Sequence, residues 1–214
     1  MFEKNNLKIY NGDCVDLMKK YSDNYFDLAI VDPPYSIINK TQRGKYRSAH
    51  KYKITADTWD YKPIKNYWIE LFRISKDQII WGGNYFTNYL YENDAWIFWY
   101  KNNPIDSYSD GELAWTSFKN KKLKCFNYMY YGAINSDKNR FHPTQKPVKL
   151  YEWILKNYGD KNFKILDTHL GSGSSAIAAF YYGCKEFIGM EINKYYYNKS
   201  IKYIKDNTSQ LKLL

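Results

Sequence analysis

The sequence predicts an α/β protein: one open, mostly parallel β-sheet covered by helices on both faces. Three observations predict it. Short apolar runs bounded by turn residues alternate along the chain with helical patterns. Two of those runs stop abruptly at turns rich in Pro or Gly, as strands do where an open sheet meets its ligands. The 214 residues, 44% of them apolar, supply one sizeable core but not two, so 1–214 is read as a single domain. No internal repeat and no Gly-, Ser- or Pro-rich linker divides it.

In chain order, candidate strands fall at 7–10, 26–31, 78–81, 95–100, 126–131, 164–166 and 187–190, seven in all. Helical patterns fall at 15–21, 63–75, 147–158, 174–182 and 194–206. Three polar stretches, 36–59, 102–117 and 134–145, interrupt the alternation and read as functional loops. The first carries Lys40, Arg43, Lys45, Arg47, Lys51 and Lys53, with no acid between Asn39 and Ile54 and with Tyr46 and Tyr52 interleaved. Such a segment can track phosphates and stack on bases, and these six side chains are the candidate DNA contacts; a solvated flexible loop is the alternative reading.

The run Asp27-Leu28-Ala29-Ile30-Val31 leads directly into Asp32-Pro33-Pro34-Tyr35, which places the tetrapeptide at the carboxyl end of a buried strand. Two successive prolines fix φ and remove two N–H donors, leaving a stiff platform of carbonyl acceptors. That platform suits an amino group. An exocyclic base nitrogen is a poor nucleophile because its lone pair is delocalised, and acceptors gripping its hydrogens, here the Asp32 carboxylate and the Pro33 carbonyl, draw it toward a tetrahedral state. Tyr35 is then placed to stack on a base turned out of the duplex. A plain strand-ending turn, Asp capping and Pro-Pro terminating, uses the same residues.

A second run, Phe163-Lys164-Ile165-Leu166-Asp167, is followed by Gly171-Ser172-Gly173 and a helical pattern from Ser174. Glycines allow close approach of a ligand, and a helix N-terminus offers free N–H groups to a carboxylate or phosphate. Twenty residues after Gly171, a further strand ends at Glu191, the offset at which an acid meets ribose hydroxyls. Ala176 stands where a dinucleotide fingerprint would have its third glycine, which disfavours a pyrophosphate ligand. An ordinary strand-to-helix turn beside a surface Glu is again the alternative.

The two elements in this order resemble the amino-methyltransferases of DNA, in the permuted beta class whose catalytic motif precedes its cofactor motif. Asp32-Pro33-Pro34-Tyr35 matches that family's DPPY; Phe141-His142-Pro143-Thr144-Gln145-Lys146-Pro147 is similar to its HPTQKP segment, and Asp167-Thr168-His169-Leu170-Gly171-Ser172-Gly173-Ser174-Ser175 to its DPFxGSGTT. The resemblance implies a Rossmann-like S-adenosylmethionine-dependent methyltransferase fold, seven-stranded with one antiparallel strand near an edge. It implies catalysis by Asp32 to Tyr35, a ribose-binding Glu191, and a methionine-binding Asp167 with Gly171, Ser172 and Gly173. Asp13, His169, Thr144, Gln145 and Lys146 are implied on the cofactor side, although Asp13 after Gly12 also suits a turn or helix cap. Thr168 and His169 depart from the Pro-Phe usual there, and His169 is expected to pack against the cofactor.

The implied reaction is direct methyl transfer to N6 of adenine in DNA. N4 of cytosine is the alternative, since that branch more often has Ser in place of Asp32; a non-catalytic nucleic-acid-binding module of the same fold is another. No Cys lies in a Pro-Cys turn, which argues against C5-cytosine chemistry. Target recognition is left to a short region at 118–141, where Lys119, Lys121, Lys122 and Lys124 are phosphate contacts or a solvated hairpin end. Trp81-Gly82-Gly83-Asn84-Tyr85-Phe86 follows another strand and is expected to admit close approach at the same edge.

Composition agrees without deciding. The formal charge of +10, from 32 basic and 22 acidic residues, suits a polyanionic partner such as DNA and equally a Lys-rich composition with no binding role. Cys14, Cys125 and Cys184 are odd in number and far apart, so they read as reduced thiols, and no metal site is expected. No apolar run approaches a bilayer span, so a cytoplasmic protein without membrane contact is expected. A homodimer or a cognate restriction nuclease is the further partner implied by the resemblance.

Overall fold

The computed structural model describes residues 1–36, 60–103, 109–130 and 140–209. The six basic residues from Lys40 to Lys53, most of the 36–59 loop and 131–139 of the recognition region lie outside the described residues.

Among the described residues nine strands form one sheet. They are β1 (Phe2–Lys4), β2 (Leu7–Asn11), β3 (Phe26–Val31), β4 (Ser75–Trp81), β5 (Trp96–Tyr100), β6 (Gly111–Thr116), β7 (Lys124–Asn127), β8 (Lys164–Asp167) and β9 (Glu186–Glu191). Among the described residues five α-helices accompany them: α1 (Cys14–Met18), α2 (Lys65–Ile74), α3 (Val148–Tyr158), α4 (Ser174–Tyr182) and α5 (Lys194–Thr208). The order across the sheet is β1-β2-β9-β8-β3-β4-β6-β5-β7. Only β1 and β6 run against the rest, β6 being antiparallel to both β4 and β5.

The sheet is thus the expected α/β architecture, with two strands more than the seven expected. β1 is three residues long and turns back onto β2 through Asn5 at φ 51°, a left-handed conformation that Asn tolerates better than most residues. β6 lies inside 102–117, which the sequence presents as a polar loop. Its Gly, Glu and Thr dilute the apolar signal, yet Ala114, Trp115 and Thr116 are buried between β4 and β5. β7 begins at Lys124 rather than 126, because it pairs in parallel with β5 from Ile97↔Lys124 to Tyr100↔Asn127.

Alternation along the central strands divides the core in two. Leu28 and Ile30 of β3 face a cluster with Leu150, Ile154 and Leu155 of α3, Ala176, Ile177 and Ala179 of α4 and Ile204 of α5. Ala29 and Val31 face the opposite cluster, with Met18 of α1 and Tyr67, Trp68, Leu71 and Ile74 of α2. Helices therefore cover both faces, as a parallel sheet requires.

The site follows from connectivity. β3 pairs in parallel with β8, Leu28 opposite Ile165 and Ala29 opposite Leu166. From β8 the chain proceeds to β9 on one side, and from β3 to β4 on the other. This is the reversal of strand order that opens a crevice at the carboxyl edge of such sheets.

Ile79 sits fully buried in β4. Truncation of Ile79 to Ala is expected to cost about 2–5 kcal/mol in urea denaturation, and Leu113→Ala on the exposed face of β6 about 1 kcal/mol or less. Equal costs would contradict the layering described above.

Candidate active site

On the β8 side of the crevice, Asp167 ends the strand and is buried. Its Oδ2 accepts from the Ser175 hydroxyl at 2.5 Å and its Oδ1 from the His169 N–H at 3.0 Å. Burial pushes its carboxyl up to about 7, the charge of Asp32 adding to that effect and the two hydrogen bonds opposing it. Gly171 and Gly173 both lie in the left-handed region, at φ 55° and 84°. At Gly173 a Cβ would also meet the Ile204 side chain at 3.0 Å, so glycine is required by backbone and neighbour alike. α4 starts at Ser174, its first helical bond running from Ile177 N–H to the Gly173 carbonyl, so the amides of its first turn have no intrahelical partner.

Glu191 ends β9 across the turn. Its Oε2 accepts from Gly171 N–H at 2.9 Å and its Oε1 from Asn193 N–H at 2.8 Å. Burial raises this carboxyl too, to about 7, the backbone bonds opposing and Asp167 reinforcing. Each oxygen keeps acceptor capacity for a further donor such as a hydroxyl. Thr168 and His169 lock onto α2: the Tyr67 and Thr168 hydroxyls are 2.8 Å apart, and the Thr168 hydroxyl lies 2.9 Å from His169 Nδ1. The His169 ring meets Tyr67 edge-on, and burial pulls its imidazole down to about 3, so it is neutral.

From the β3 side come Asp32, Pro33, Pro34 and Tyr35. The Tyr35 hydroxyl donates to Asp32 Oδ1, and its ring stacks on Tyr85 with centroids 4.9 Å apart. Burial, with the Asp32 charge, pushes the phenol well above its usual range, which keeps it a donor. The ring lies against Gly82, where a Cβ would come within 2.2 Å of Tyr35 Cε1. Gly82 at φ 66° therefore opens the space that Tyr35 occupies, the close approach expected of the Trp81-Gly82-Gly83 turn.

Lys146 closes the site in a place the sequence did not indicate. Expected on the cofactor side, its ammonium instead lies 2.7 Å from Asp32 Oδ2 and 2.9 Å from Glu112 Oε2, with the side chain only 4% exposed. Burial would lower its pKa, but Asp32 and Glu112 outweigh it and hold the pKa above the usual range for lysine. Glu112 on β6 is held down to about 2 despite its own burial, by Lys146 and by an ion pair with Lys101. Glu112 escaped sequence reading because it lay in an assumed loop, where no motif marks it.

The preceding segment is tied to the glycine turn. Arg140 donates to the His142 and Pro143 carbonyls, Thr144 Oγ1 lies 3.2 Å from His142 Nδ1, and Gln145 Oε1 accepts from Phe141 N–H. A Cβ on Gly171 would touch the His142 ring at 3.4 Å. Ser172 shares a hydrogen bond with Ser174 at 3.0 Å. Asp13 caps α1, accepting from Val15 N–H at 2.7 Å, which is the helix-cap reading of that residue. Among the described residues no group of three or more His, Cys, Asp or Glu could hold a metal ion, and no helix is long and apolar enough to cross a membrane.

Comparison with known proteins places this geometry in context. A family model described as DNA methylase matches residues 50–202, a span that begins after Asp32 to Tyr35. By sequence the chain is 29% identical to the type II methyltransferase M2.MboI of Moraxella bovis, over 87% of this chain and 83% of that protein. It is 26% identical to the type II methyltransferase M.HinfI of Haemophilus influenzae, over 96% of this chain and 71% of that one. By structure it resembles the M1.HpyAVI–SAM complex (TM-score 0.60, 23% identity, 92% of this chain and 99% of that chain). It also resembles the PvuII DNA methyltransferase, described as cytosine-N4-specific (TM-score 0.62, 13% identity, 94% and 91%). These two structural likenesses establish the fold.

The raised Glu191 carboxyl has a consequence for stability. The folded state binds a proton there that the unfolded chain, near 4.5, releases, so the contribution is full below 4.5 and lost as pH rises through about 7. Asp167, raised likewise to about 7, acts in the same sense, while His142 and His169, both held near 3 by burial, act oppositely up to about 6.5, so the wild-type profile alone does not isolate Glu191. Glu191→Gln removes only the first effect. Chemical denaturation of the ligand-free protein should show the variant gaining stability relative to wild type between pH 5 and pH 8; a difference independent of pH would refute the buried, protonated Glu191.

Proposed function

We propose, on the premise that this chain belongs to the DNA methylase family, that it transfers a methyl group from S-adenosylmethionine to N6 of adenine in DNA. The observation that carries the reading is the meeting of Asp32-Pro33-Pro34-Tyr35 with the Asp167 glycine turn at the point where strand order reverses. The order of β3 before β8 in the chain supports a reading in the permuted class.

The residues present fit the cofactor. Glu191 has acceptor capacity for ribose hydroxyls, Gly171 and Gly173 adopt conformations that admit close approach, and the first turn of α4 offers amides to a carboxylate. Asp167, Ser172 and His169 belong to the same turn; Thr144 and Gln145 bond within the segment whose His142 ring lies against Gly171, and Asp13 follows β2. When bound, S-adenosylmethionine supplies an electrophilic methyl on a sulfonium.

The chain's own residues handle the amine. Pro33 and Pro34 offer no N–H to compete for the base, so the amino hydrogens are left to the Asp32 carboxylate and the Pro33 carbonyl. Tyr35 is the stacking surface for the extruded base, which takes the place that Tyr85 occupies against it. Held in line, the nitrogen needs no covalent enzyme intermediate; orientation supplies much of the rate. As the amine gains its methyl, whose former bonding pair stays on sulfur, one amine proton is released through Asp32 to solvent.

Asp32, rather than the Ser more usual in the cytosine branch, supports adenine. DNA is the partner, gripped by the basic 36–59 segment and the lysines at 119–124, and the cytoplasm is the compartment where it is met. A cognate nuclease is proposed from likeness to type II methyltransferases.

The test is transfer of labelled methyl from S-adenosylmethionine to unmethylated duplex DNA, followed by digestion and nucleoside mass analysis. N6-methyladenine is expected; N4-methylcytosine would overturn the base assignment, and absence of label with cofactor bound would overturn the reaction. Asp32→Ala should reduce turnover by about 10²–10³-fold or more while changing cofactor affinity less than about threefold. Parallel loss of both would remove Asp32 from the amine site.

A further inference from the structure

We infer that Lys146 is a positioning residue of the amine site: it pins Asp32 Oδ2 so that Oδ1 alone faces the reacting nitrogen, and Glu112 on β6 holds Lys146 in turn. The inference rests on the proposed reaction and assigns to it two residues from outside the Asp32 to Tyr35 tetrapeptide.

The geometry is an alternating chain of charges. Lys101 pairs with Glu112, Glu112 with Lys146 at 2.9 Å, and Lys146 with Asp32 at 2.7 Å, ending in the Tyr35 hydroxyl on Asp32 Oδ1. Two acids and two cations leave it neutral. The Lys146 ammonium also lies 5.3 Å from the centre of the Trp81 ring, so its surroundings are two carboxylates and an aromatic face. Its backbone is fixed on both sides: Gln145 N–H donates to the His142 carbonyl at 3.2 Å, and Pro147 begins α3.

A carboxylate's terminal torsion is broad, and Asp32 alone could present either oxygen. Lys146 removes that freedom. The groups facing Asp32 are Tyr35 from its own segment, Asp167 from β8, Tyr67 from α2, Tyr151 from α3 and Lys146. Among these described groups only Lys146 is a cation, and it offsets the repulsion between Asp32 and Asp167 across the crevice. With Oδ2 held, the oxygen that now accepts from the Tyr35 phenol is the one that exchanges it for the substrate amine.

Three variants test this: Lys146→Met, which keeps length and removes charge; Lys146→Arg, which keeps charge; and Glu112→Gln. For each, kcat and the KM for DNA are measured alongside S-adenosylmethionine affinity by calorimetry and folding by circular dichroism. Lys146→Met should lose about 10²-fold in kcat, the scale of a misplaced catalytic group, with KM for DNA and cofactor affinity within about threefold of wild type. Lys146→Arg should recover part of that loss, and Glu112→Gln should show a smaller loss of the same kind. A loss of about tenfold or more in cofactor affinity would place Lys146 in the cofactor pocket and overturn the inference; so would an unchanged kcat. Should Lys146→Met fail to fold, full activity in both Lys146→Arg and Glu112→Gln would overturn it equally. A wild-type protein that methylates no DNA would sink the proposed reaction instead, and the cofactor titration would still decide where Lys146 belongs.

Discussion

The parallel pairing of β3 with β8 is the contact on which the rest of the site depends. It joins segments nearly 140 positions apart in register, Leu28 against Ile165, and so delivers Asp32 and Asp167 to the same edge of the sheet. Neither strand could do this alone. Each is buried on both faces, by α3, α4 and α5 on one side and α1 and α2 on the other, and a shift of one residue would turn every side chain to the wrong core. Packing of the two cores therefore fixes the spacing of the two chemical elements as firmly as it fixes the fold.

That convergence has an electrostatic cost, since Asp32, Asp167 and Glu191 gather where water is scarce. The structure offsets it in two ways. Asp167 and Glu191 are pushed up to about 7 by burial, so their charge is partly withdrawn, and each is held by backbone or hydroxyl donors. Asp32 is treated differently, with a buried lysine against it. Glu191, proposed to receive a donor from ribose, can do so while neutral part of the time. For Asp32, proposed to grip amino hydrogens, the charge is answered by an ion pair instead, the Lys146 ammonium lying 2.7 Å from Oδ2.

Much of this was legible in the sequence. The strand leading into Asp32-Pro33-Pro34-Tyr35, the glycine turn after Asp167 and the acid ending the following strand were readable because each couples an apolar run to residue types that end a strand. The α/β architecture followed from the alternation of runs. What was not legible depended on pairing. Three-residue β1 has too little pattern to announce itself and exists through its hairpin with β2. Asp13 fits a cap and a cofactor contact equally well as a sequence, and the structure shows its cap role directly. Lys146 sits within a motif whose His142 ring lies against Gly171, yet its own ammonium reaches to Asp32.

β6 is the instructive case, because its misreading and its function share one cause. A strand inserted between two others is expected to be largely apolar, and Gly111, Glu112 and Thr116 made this one look like a loop. Glu112 is tolerated there only because Lys101 and Lys146 reach it, and Lys146 in turn is tolerated because Glu112 and Asp32 reach it. Removing the polar residue would simplify the strand and strand the lysine. The local rule of apolar burial is broken at the strand that borders the proposed amine site, the kind of place where proteins commonly retain such violations for chemistry rather than stability. Here the antiparallel strand does more than extend the sheet: inserted between β4 and β5, it carries a carboxylate to the one lysine that touches Asp32 among the described residues.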